Sequence, residues 1–277
     1  MQFFSLRSKA MSDQTWVLTG ASGIVGSCLR AAIAPKVACL RLLDIKETTD
    51  LGDREDSQVL NIDNLLGLVE AFKGAHGIIH LAGLADEADF HDLMHVNVTG
   101  TYNVFEAARR TGVKRVIYAS SNRATGFYSV ETLVDPSMPP RPDGLYGATK
   151  VAGEAIARLY ADKFHLEVVV VRIGSLEERP QDFRQLSTWL SPADCQRAFL
   201  AAMNAEKVVY SAIYAVSRNK RRWWDIEAAT VLGFEPRDDA EDHAGGIKTD
   251  LEGVVSASVQ GGLFATEEYT LSRQKSA

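Results

Sequence analysis

The chain has 277 residues, of which 46% are hydrophobic and 24% are charged, and these are ordinary values for a globular protein with a sizeable core. Its net charge of −6 gives no electrostatic support to a nucleic-acid-binding role. No apolar run approaches the roughly 18–20 residues that a helix needs to cross a bilayer. We therefore expect neither a nucleic-acid partner nor a membrane partner. Three widely spaced cysteines, at positions 28, 39 and 195, form no metal-binding pattern and indicate a reduced, cytoplasmic protein.

Strands alternate with helices over the first two thirds of the chain. In chain order, the patterns predict a strand at 16–19, a helix at 24–34, a strand at 37–43, a helix at 65–72, a strand at 77–81, a helix at 92–110, a strand at 115–119, a helix at 146–164 and a strand at 167–172. Nearly continuous apolar strands separated by helices are typical of a parallel sheet that is buried on both faces. The pattern predicts an α/β fold with a doubly wound, Rossmann-like parallel sheet.

The regular alternation ends after Gly174. Residues 175–189 are charged and irregular, and the remaining patterns predict a helix at 192–204, a strand at 207–216 and a last helix at 223–232. The stretch from Asp238 onward is acidic and poorly periodic. We predict that residues 1–14 form an N-terminal extension, with Met11 as an alternative start. Residues 175–277 are predicted to form a small substrate-binding lobe and tail over the mouth of the sheet, as one integrated unit with the rest.

A glycine turn, Gly20-x-x-Gly23-x-x-Gly26, stands between the first predicted strand and the first predicted helix. Glycines allow a tight turn and let a pyrophosphate approach the helix N-terminus, where backbone N–H groups favour an anion. Asp44 follows at the end of the second strand, where a carboxylate binds ribose hydroxyls and repels a 2′-phosphate. The sequence therefore predicts NAD as the cofactor and residues 15–174 as its Rossmann-like domain. Lys46, two residues after Asp44, keeps use of both NAD and NADP open as an alternative.

Three residues further along form a candidate catalytic group. Tyr146 and Lys150 lie four residues apart on a predicted helix, so that their side chains share one face. A nearby ammonium stabilises a phenolate and lowers the pKa of a tyrosine toward that of a general base. Ser121 ends a predicted strand, where open α/β sheets carry their ligands, and can orient a substrate oxygen. A tyrosine–lysine pair at this spacing is common by chance, so its weight comes from the serine and the glycine turn.

With these motifs the chain resembles the extended, epimerase-like type of the short-chain dehydrogenase/reductase superfamily. The resemblance implies that Ser121, Tyr146 and Lys150 are the catalytic triad, that Lys150 also holds the nicotinamide ribose, and that Asn97 is the helix asparagine of the superfamily. The full set of residues expected at the NAD site is Gly20, Ser22, Gly23, Ile24, Val25, Gly26, Asp44, Ile45, Asn61, Ile62, Leu81, Ala82, Gly83, Asn97, Ala119, Tyr146, Lys150 and Ile173.

Further segments are similar to uronate dehydrogenases over about residues 15–265. They are Ser-Ser-Asn at 120–122, Arg-Pro-Asp-Gly-Leu-Tyr-Gly at 141–147, Val-Arg-Ile-Gly-Ser at 171–175, Leu-Ser-Thr-Trp-Leu at 186–190, Trp-Trp-Asp at 223–225 and Gln-Gly-Gly at 260–262. The resemblance implies NAD-dependent oxidation of the anomeric carbon of a cyclic hexuronate to an aldarolactone. It places Ser121, Asn122, Tyr146, Gly174 and Ser175 at the sugar, with Arg184 as a clamp for the carboxylate.

The chain departs from that family at two positions of the expected substrate site. Arg123 stands where the family has histidine, and Ala85 stands where it has serine. We assign both positions to the substrate site. Arg123 either points to solvent or indicates a substrate with a larger or more highly charged anion, because guanidinium suits sulfonate and phosphate groups. The alternative substrates are therefore sulfoquinovose and glucose 6-phosphate.

Other functions and sites have less support. A nucleotide-sugar epimerase or dehydratase is disfavoured, because Asn122 and Arg123 follow the catalytic serine where dehydratases carry acidic residues. A non-catalytic NAD-binding protein is disfavoured, because the triad is intact. His91 and His95 have the spacing of metal ligands, but no third ligand accompanies them, and we predict no metal. The basic and aromatic residues at 218–224 are interpreted as a packing segment. We expect an enzyme that forms a homo-oligomer.

Overall fold

The computed structural model describes residues 10–245, 247 and 258–274. Its strands are β1 Thr15–Thr19, β2 Cys39–Asp44, β3 Glu55–Val59, β4 Gly77–His80, β5 Arg115–Ser121, β6 Glu167–Ile173, β7 Ser175–Leu176, β8 Trp189–Leu190 and β9 Tyr210–Ala215. Seven of them form one sheet in the order β3-β2-β1-β4-β5-β6-β9, and all of its neighbouring pairs are parallel. β7 and β8 form a separate parallel pair.

Helices connect the strands and cover the sheet. They are α1 Ile24–Ile33, α2 Leu65–Phe72, α3 Phe90–Leu93, α4 Gly100–Thr111, α5 Leu145–Phe164, α6 Gln185–Thr188, α7 Pro192–Asn204, α8 Glu227–Val231 and α9 Glu267–Leu271. A π-helical segment, Met94–Thr99, joins α3 to α4. Residues 10–14 also belong to the fold, because Met11 packs against the core and the Gln14 carbonyl accepts a hydrogen bond from the Ala38 N–H.

Two hydrophobic cores lie on opposite faces of the main sheet. One contains Trp16 and Leu18 of β1 together with residues of α1 and α7, whereas the other contains Val17 together with residues of α2, α4 and α5. Successive side chains of a strand point to opposite faces, so each buried strand serves both cores. Helices on both faces of a parallel sheet confirm the predicted doubly wound α/β fold.

The predicted elements agree with the structure over most of the chain, and the helices predicted at 65–72 and 192–204 have the same bounds as α2 and α7. β3 was not predicted, because it is an edge strand of sequence Glu-Asp-Ser-Gln-Val whose side chains are mostly exposed and therefore lack an apolar pattern. The helix predicted at 223–232 is the shorter α8, and the prediction that it is the last helix is wrong, since α9 follows.

The C-terminal part of the chain contributes a strand and a helix to the main sheet and its core. β9 pairs with β6 along six residues of each strand, and α7 packs with α1 on one face. Segment 258–274 returns to the first half of the chain, where the Tyr269 hydroxyl donates to Asp86 and the Gln274 amide donates to the Ala88 carbonyl. No helix in the described ranges is both long and apolar enough to cross a membrane.

Candidate active site and coenzyme cleft

A cleft of about 820 Å³ opens where the carboxyl ends of β1, β2, β4, β5 and β6 meet. In an open parallel sheet this edge is where ligands bind, because the loops that follow the strands project there. The volume lies at the upper end of the range of about 300–1,000 Å³ that is usual for small-molecule and cofactor sites.

The glycine turn forms one wall of this cleft in a conformation that side chains would not allow. Gly20 has φ +73°, and a Cβ there would lie 2.7 Å from the Ala82 backbone N. A Cβ at Gly26 would collide with the backbone oxygens of Gly20 and Ala21. No side chain caps the N-terminus of α1, where Gly23 occupies the capping position. The backbone is therefore shaped for close approach of an anion, which fits the pyrophosphate of a dinucleotide.

Asp44 stands at the end of β2 with its carboxylate on the cleft. One carboxylate oxygen accepts a hydrogen bond from the Ser22 N–H at 2.9 Å, and the other accepts one from the Lys46 N–H at 3.0 Å. These bonds fix a negative charge about 20 residues after the glycine turn, as the ribose of NAD requires. The residues present therefore fit NAD, and Lys46 also lines the cleft.

Nearly all of the residues predicted at the NAD site line this cleft. They are Gly20, Ser22, Gly23, Ile24, Val25, Gly26, Asp44, Ile45, Asn61, Ile62, Leu81, Ala82, Gly83, Ala119, Tyr146, Lys150 and Ile173. Asn97 is not among the lining residues. Its buried amide accepts a hydrogen bond from the Leu84 N–H and donates to the Leu84 carbonyl and to the Thr149 hydroxyl, so it holds the loop after β4 against α5.

The three predicted catalytic residues come together on the cleft. Ser121 ends β5, Tyr146 and Lys150 lie one turn apart on α5, and each of the three is at least nine-tenths buried. The Ser121 hydroxyl acts on the Tyr146 hydroxyl in the direction that lowers the pKa of the tyrosine. The Lys150 Nζ donates to the Ala119 carbonyl at 3.1 Å and lies 5.6 Å from the centroid of the Tyr146 ring. A phenol, an aliphatic hydroxyl and an amine thus lie close together on the cleft.

The pKa values of these groups differ from the sequence expectation. Burial raises the pKa of Tyr146 to about 12, although the hydrogen bond with Ser121 and the charge of Arg123 oppose this rise. Burial also lowers the pKa of Lys150 to about 8. The expectation that the lysine brings the tyrosine below its ordinary pKa is therefore not met in this structure, because loss of water around the phenol outweighs the nearby charges.

Glu87 holds the start of α5, and no motif in the sequence points to it. Its carboxylate accepts hydrogen bonds from the backbone N–H groups of Leu145 at 2.8 Å and of Tyr146 at 3.1 Å. Gly144, at the capping position of α5, has no side chain to serve these donors, so Glu87 from the loop after β4 caps the helix. The carboxylate also suits the positive end of the helix dipole.

Arg184 and Arg123 both line the cleft, but their surroundings differ. The Arg184 Nε donates to the Gln260 carbonyl at 2.7 Å and its Nη1 to the Ser175 hydroxyl at 3.4 Å. Within the described part of the chain, no carboxylate forms an ion pair with Arg184, and burial lowers the pKa of this arginine to about 10. Arg123, in contrast, contacts three carboxylates.

The other predicted substrate residues, namely Ala85, Ser121, Asn122, Tyr146, Gly174 and Ser175, line the same cleft. Sequence reasoning missed Asp86, Asp143 and Phe264. Asp86 and Phe264 also line the cleft, whereas Asp143 is buried behind it and accepts a hydrogen bond from the Arg123 guanidinium. The sequence contains a weak signal for two of these residues. Asp86 directly follows Ala85, a position where the chain differs from the family, and Asp143 lies in the Arg-Pro-Asp-Gly segment before Tyr146.

Two other sequence features lie away from catalysis. His95 pairs with Asp63, and the described residues contain no group of histidine, cysteine and carboxylate side chains that could hold a metal. In the basic and aromatic segment at 218–224, Trp224 is buried and stacks on Tyr214 with 5.1 Å between ring centroids. Its Nε1 donates to the Gln260 side chain, so this tryptophan serves packing.

Relatives of known activity match this chain over most of its length. The sequence profile of the NAD dependent epimerase/dehydratase family matches residues 16–184. A uronate dehydrogenase of Pseudomonas syringae pv. tomato is 40% identical over 226 residues, which cover 81% of this chain and 82% of that protein. An NAD-dependent glucose-6-phosphate dehydrogenase of Haloferax volcanii is 35% identical over 250 residues, which cover 82% of this chain and 95% of that protein.

A solved structure shows the same fold with the predicted cofactor. The uronate dehydrogenase from Agrobacterium tumefaciens, as a tyrosine-to-alanine mutant complexed with NAD, matches with a TM-score of 0.86 at 34% identity and covers 91% of this chain and 97% of that chain. The predicted Rossmann-like sheet, the resemblance to uronate dehydrogenases and the choice of NAD are confirmed by these relatives.

Proposed function

Because the chain belongs to the NAD dependent epimerase/dehydratase family, we propose that it oxidises the anomeric carbon of an anionic hexose with NAD. The leading substrate is a hexuronate, and the product would be its aldarolactone. The observation that carries the substrate class is Arg184, a cation on the wall of the cleft that has no carboxylate partner within the described ranges. A desolvated guanidinium that lacks an ion-paired carboxylate favours an anionic ligand, and its planar fork suits a carboxylate.

The position of Arg184 suits recognition of the far end of such a sugar. Its Nη1 contacts the Ser175 hydroxyl, and Ser175 follows β6 two residues after Ile173, which pairs with Ser121 across the ends of two neighbouring strands. A ring placed between these side chains could present its hydroxyls to Ser121 and Ser175. Its carboxylate would then stabilise the buried charge of Arg184 in place of the water that burial has removed.

The chemistry at C1 needs one proton acceptor and one hydride acceptor. Tyr146, in its phenolate form, takes the proton of the anomeric hydroxyl while Ser121 holds the oxygen in place, and the C1–O bond becomes the carbonyl of the lactone. NAD, when bound, accepts the hydride that leaves C1. Lys150 supplies positive charge beside the phenolate and, by the resemblance, holds the nicotinamide ribose.

A phosphorylated or sulfonated hexose is the second candidate substrate. The relative from Haloferax volcanii is named a glucose-6-phosphate dehydrogenase, and it matches 82% of this chain at 35% identity. A phosphate or sulfonate also suits an arginine fork. The same reaction at C1 would then give a gluconolactone that keeps its anion.

We also propose that residues 175–277 supply the substrate side of the site to the NAD-binding part at 15–174. Two cleft residues support this division, because Arg184 and Phe264 both come from the C-terminal part. The pairing of β9 with β6 supports one integrated unit rather than two separate domains.

A coupled absorbance assay for NADH tests the proposed function. The purified protein is offered NAD with glucuronate, galacturonate, sulfoquinovose or glucose 6-phosphate, and a turnover rate is measured for each. We expect one of the two uronates to give the highest kcat/KM. A preference for glucose 6-phosphate or sulfoquinovose would replace the hexuronate by the second candidate.

Tyr146→Phe serves as the matched variant, because it removes only the hydroxyl. It should lower kcat by at least about 100-fold while leaving NAD binding nearly unchanged. If this variant keeps the activity of the parent, or if no sugar reduces NAD, the proposed reaction is wrong, and a non-catalytic NAD-binding role would then be favoured.

A further inference from the structure

Arg123 is fixed by three carboxylates at the substrate end of the cleft. Its Nε donates to Asp143 at 2.8 Å, its Nη1 to Asp86 at 2.7 Å and its Nη2 to Glu87 at 3.3 Å. Arg123 is 5% exposed, and the side chains of Glu87 and Asp143 are 0% exposed. We call these four residues the Arg123 cluster. A guanidinium with three of its five N–H groups engaged in this way has one defined position.

The cluster is a poor receptor for a substrate anion. A carboxylate or phosphate on the remaining N–H groups of Arg123 would lie close to carboxylates that already surround the guanidinium. Like charges at such distances in a buried site disfavour binding. Arg184 differs, because its hydrogen bonds go to the neutral oxygens of Gln260 and Ser175. Of the two arginines, only Arg184 lacks an ion-paired carboxylate within the described residues, so it is the better receptor for an added anion.

Arg123 instead contacts the catalytic residues themselves. Its Cζ lies 5.2 Å from the centroid of the Tyr146 ring, and its backbone N–H donates to the Ser121 hydroxyl oxygen at 3.2 Å. Glu87 extends the same cluster to the start of the catalytic helix, where it accepts hydrogen bonds from the N–H groups of Leu145 and Tyr146. The ring of Tyr146 therefore contacts Arg123 directly, and its backbone N–H is bound by Glu87, which is itself a hydrogen-bond partner of Arg123.

We infer that Arg123, fixed by Asp86, Glu87 and Asp143, is a positioning residue for Tyr146 and not the receptor for the anion of the substrate. The inference rests on the proposed function, in which Tyr146 is the base. It assigns a role to the arginine that stands where the resembling family has histidine. A histidine can donate at most two hydrogen bonds, so it could not engage three carboxylates at once.

The charges around Tyr146 agree with this role. The titratable and charged groups that face it are Arg123, Lys150, Asp86, Asp143, Tyr118 and, at its backbone N–H, Glu87. Burial raises the pKa of Tyr146, the charge of Arg123 lowers it, and Asp86 and Asp143 raise it. Removing Arg123 would leave the two carboxylates unopposed, so the phenolate would form less readily.

The deciding experiment separates kcat, KM and the pH profile in variants of Arg123. Glucuronate is the substrate, NAD is saturating, and Arg123→Gln and Arg123→Lys are compared with the parent. Arg158→Gln is the matched control, because Arg158 lies on α5, the helix of Tyr146, in an exposed ion pair with Asp162. Arg184→Gln is the comparator for a lost anion contact.

We expect Arg123→Gln to lower kcat about tenfold at neutral pH and to move the acidic limb of the kcat profile up by about one pH unit, since one pKa unit is a tenfold change in the ionised fraction. KM should stay within about twofold. Arg123→Lys keeps a positive charge and should move the limb less, whereas Arg158→Gln should leave the profile unchanged. Arg184→Gln should raise KM without moving the limb.

Other results would overturn the inference. If Arg123→Gln raises KM for glucuronate tenfold or more and leaves the acidic limb in place, Arg123 binds the substrate anion. If neither kcat nor the limb changes, Arg123 positions nothing. Should Arg123→Gln fail to fold because it leaves buried carboxylates unpaired, Arg123→Gln combined with Asp143→Asn removes one of them and carries the same test. A parent protein that oxidises no sugar would instead contradict the proposed function.

Discussion

The two ends of the cleft are built in different ways. At the coenzyme end, consecutive segments of the chain supply the glycine turn and Asp44. The turn presents backbone N–H groups rather than side chains to the cleft. At the substrate end, side chains from distant segments meet, since Asp86, Arg123, Arg184 and Phe264 all line the cleft. A backbone site tolerates few side chains, whereas a side-chain site can change its ligand through a few substitutions. The contrast predicts that a preference for one sugar changes more readily than the choice of coenzyme.

The two arginines show the same contrast within the substrate end. Both have their guanidinium near the Phe264 ring, at 4.3 Å for Arg123 and 5.3 Å for Arg184. Three carboxylates form ion pairs with Arg123, whereas none forms an ion pair with Arg184 within the described residues. In the roles proposed above, the same residue type positions a catalytic group in one case and recognises the substrate in the other, according to its neighbours.

The largest effect is expected at the coenzyme end from Gly26→Ala. The new Cβ would collide with the backbone oxygens of Gly20 and Ala21, so the turn must change shape. We expect NAD affinity to fall by at least about 1,000-fold, or more than about 4 kcal/mol. Titration calorimetry with NAD measures it, and Gly52→Ala is the control, because its Cβ would meet only ordinary contacts. Unchanged NAD affinity in Gly26→Ala would remove the argument from the shape of the turn.

Lys150→Met tests the junction between the two ends. The lysine is 6% exposed, and its pKa falls from 10.5 to about 8 because of burial. Such a shift corresponds to a cost of about 3 kcal/mol for the buried charge. We expect the variant to lose activity and to raise the free energy of unfolding by about 1–3 kcal/mol at neutral pH, because the methionine has no charge to bury.

The pH dependence of that gain follows from the direction of the shift. Below pH 8, Lys150 is protonated in both the folded and the unfolded state, and the cost of burial is fully present. Between pH 8 and 10.5 the folded state releases its proton first, so the parent gains stability relative to the variant as the pH rises. Denaturant unfolding across this range measures the difference, and a constant difference would contradict the assigned pKa.

Arg184→Gln tests the recognition side of the comparison. The variant keeps an amide donor but loses the charge, so KM for a uronate should rise by about 10–100-fold, as expected for a lost charged hydrogen bond of about 1.5–3 kcal/mol. The effect on kcat should be smaller than the effect on KM. Steady-state kinetics beside Arg123→Gln decide this, and equal effects of the two variants on KM would erase the distinction between the arginines.

The smallest effect is expected from Asp44→Asn, which removes a charge but keeps the shape of the side chain. The acceptors for the Ser22 and Lys46 N–H groups are partly retained, whereas the repulsion of a 2′-phosphate is lost. We expect the preference for NAD over NADP to fall by about tenfold, or about 1.4 kcal/mol. Ratios of kcat/KM for the two coenzymes measure it, and an unchanged ratio would show that another residue excludes NADP.

Most of the fold was predictable because its signals are local. Apolar strands, helical spacing and the glycine turn each lie within a few residues, and these gave the doubly wound sheet. β3 escaped prediction because an exposed edge strand of polar residues has no hydrophobic pattern. α9 escaped because it follows an acidic stretch and is held by long-range contacts, such as that of Tyr269 with Asp86.

By itself, the sequence determined the family, the sheet, the coenzyme and the residues proposed to carry the chemistry, since Gly20, Asp44, Ser121, Tyr146 and Lys150 are recognisable from their types and spacing. Only the tertiary structure decided how the two arginines differ. The hydrogen-bond partners of the Arg123 side chain come from loops up to 37 residues away along the chain, and those of the Arg184 side chain extend to 76 residues away. The charge that an arginine can offer to a ligand depends on which carboxylates the fold places beside it, and spacing along the chain does not contain that information.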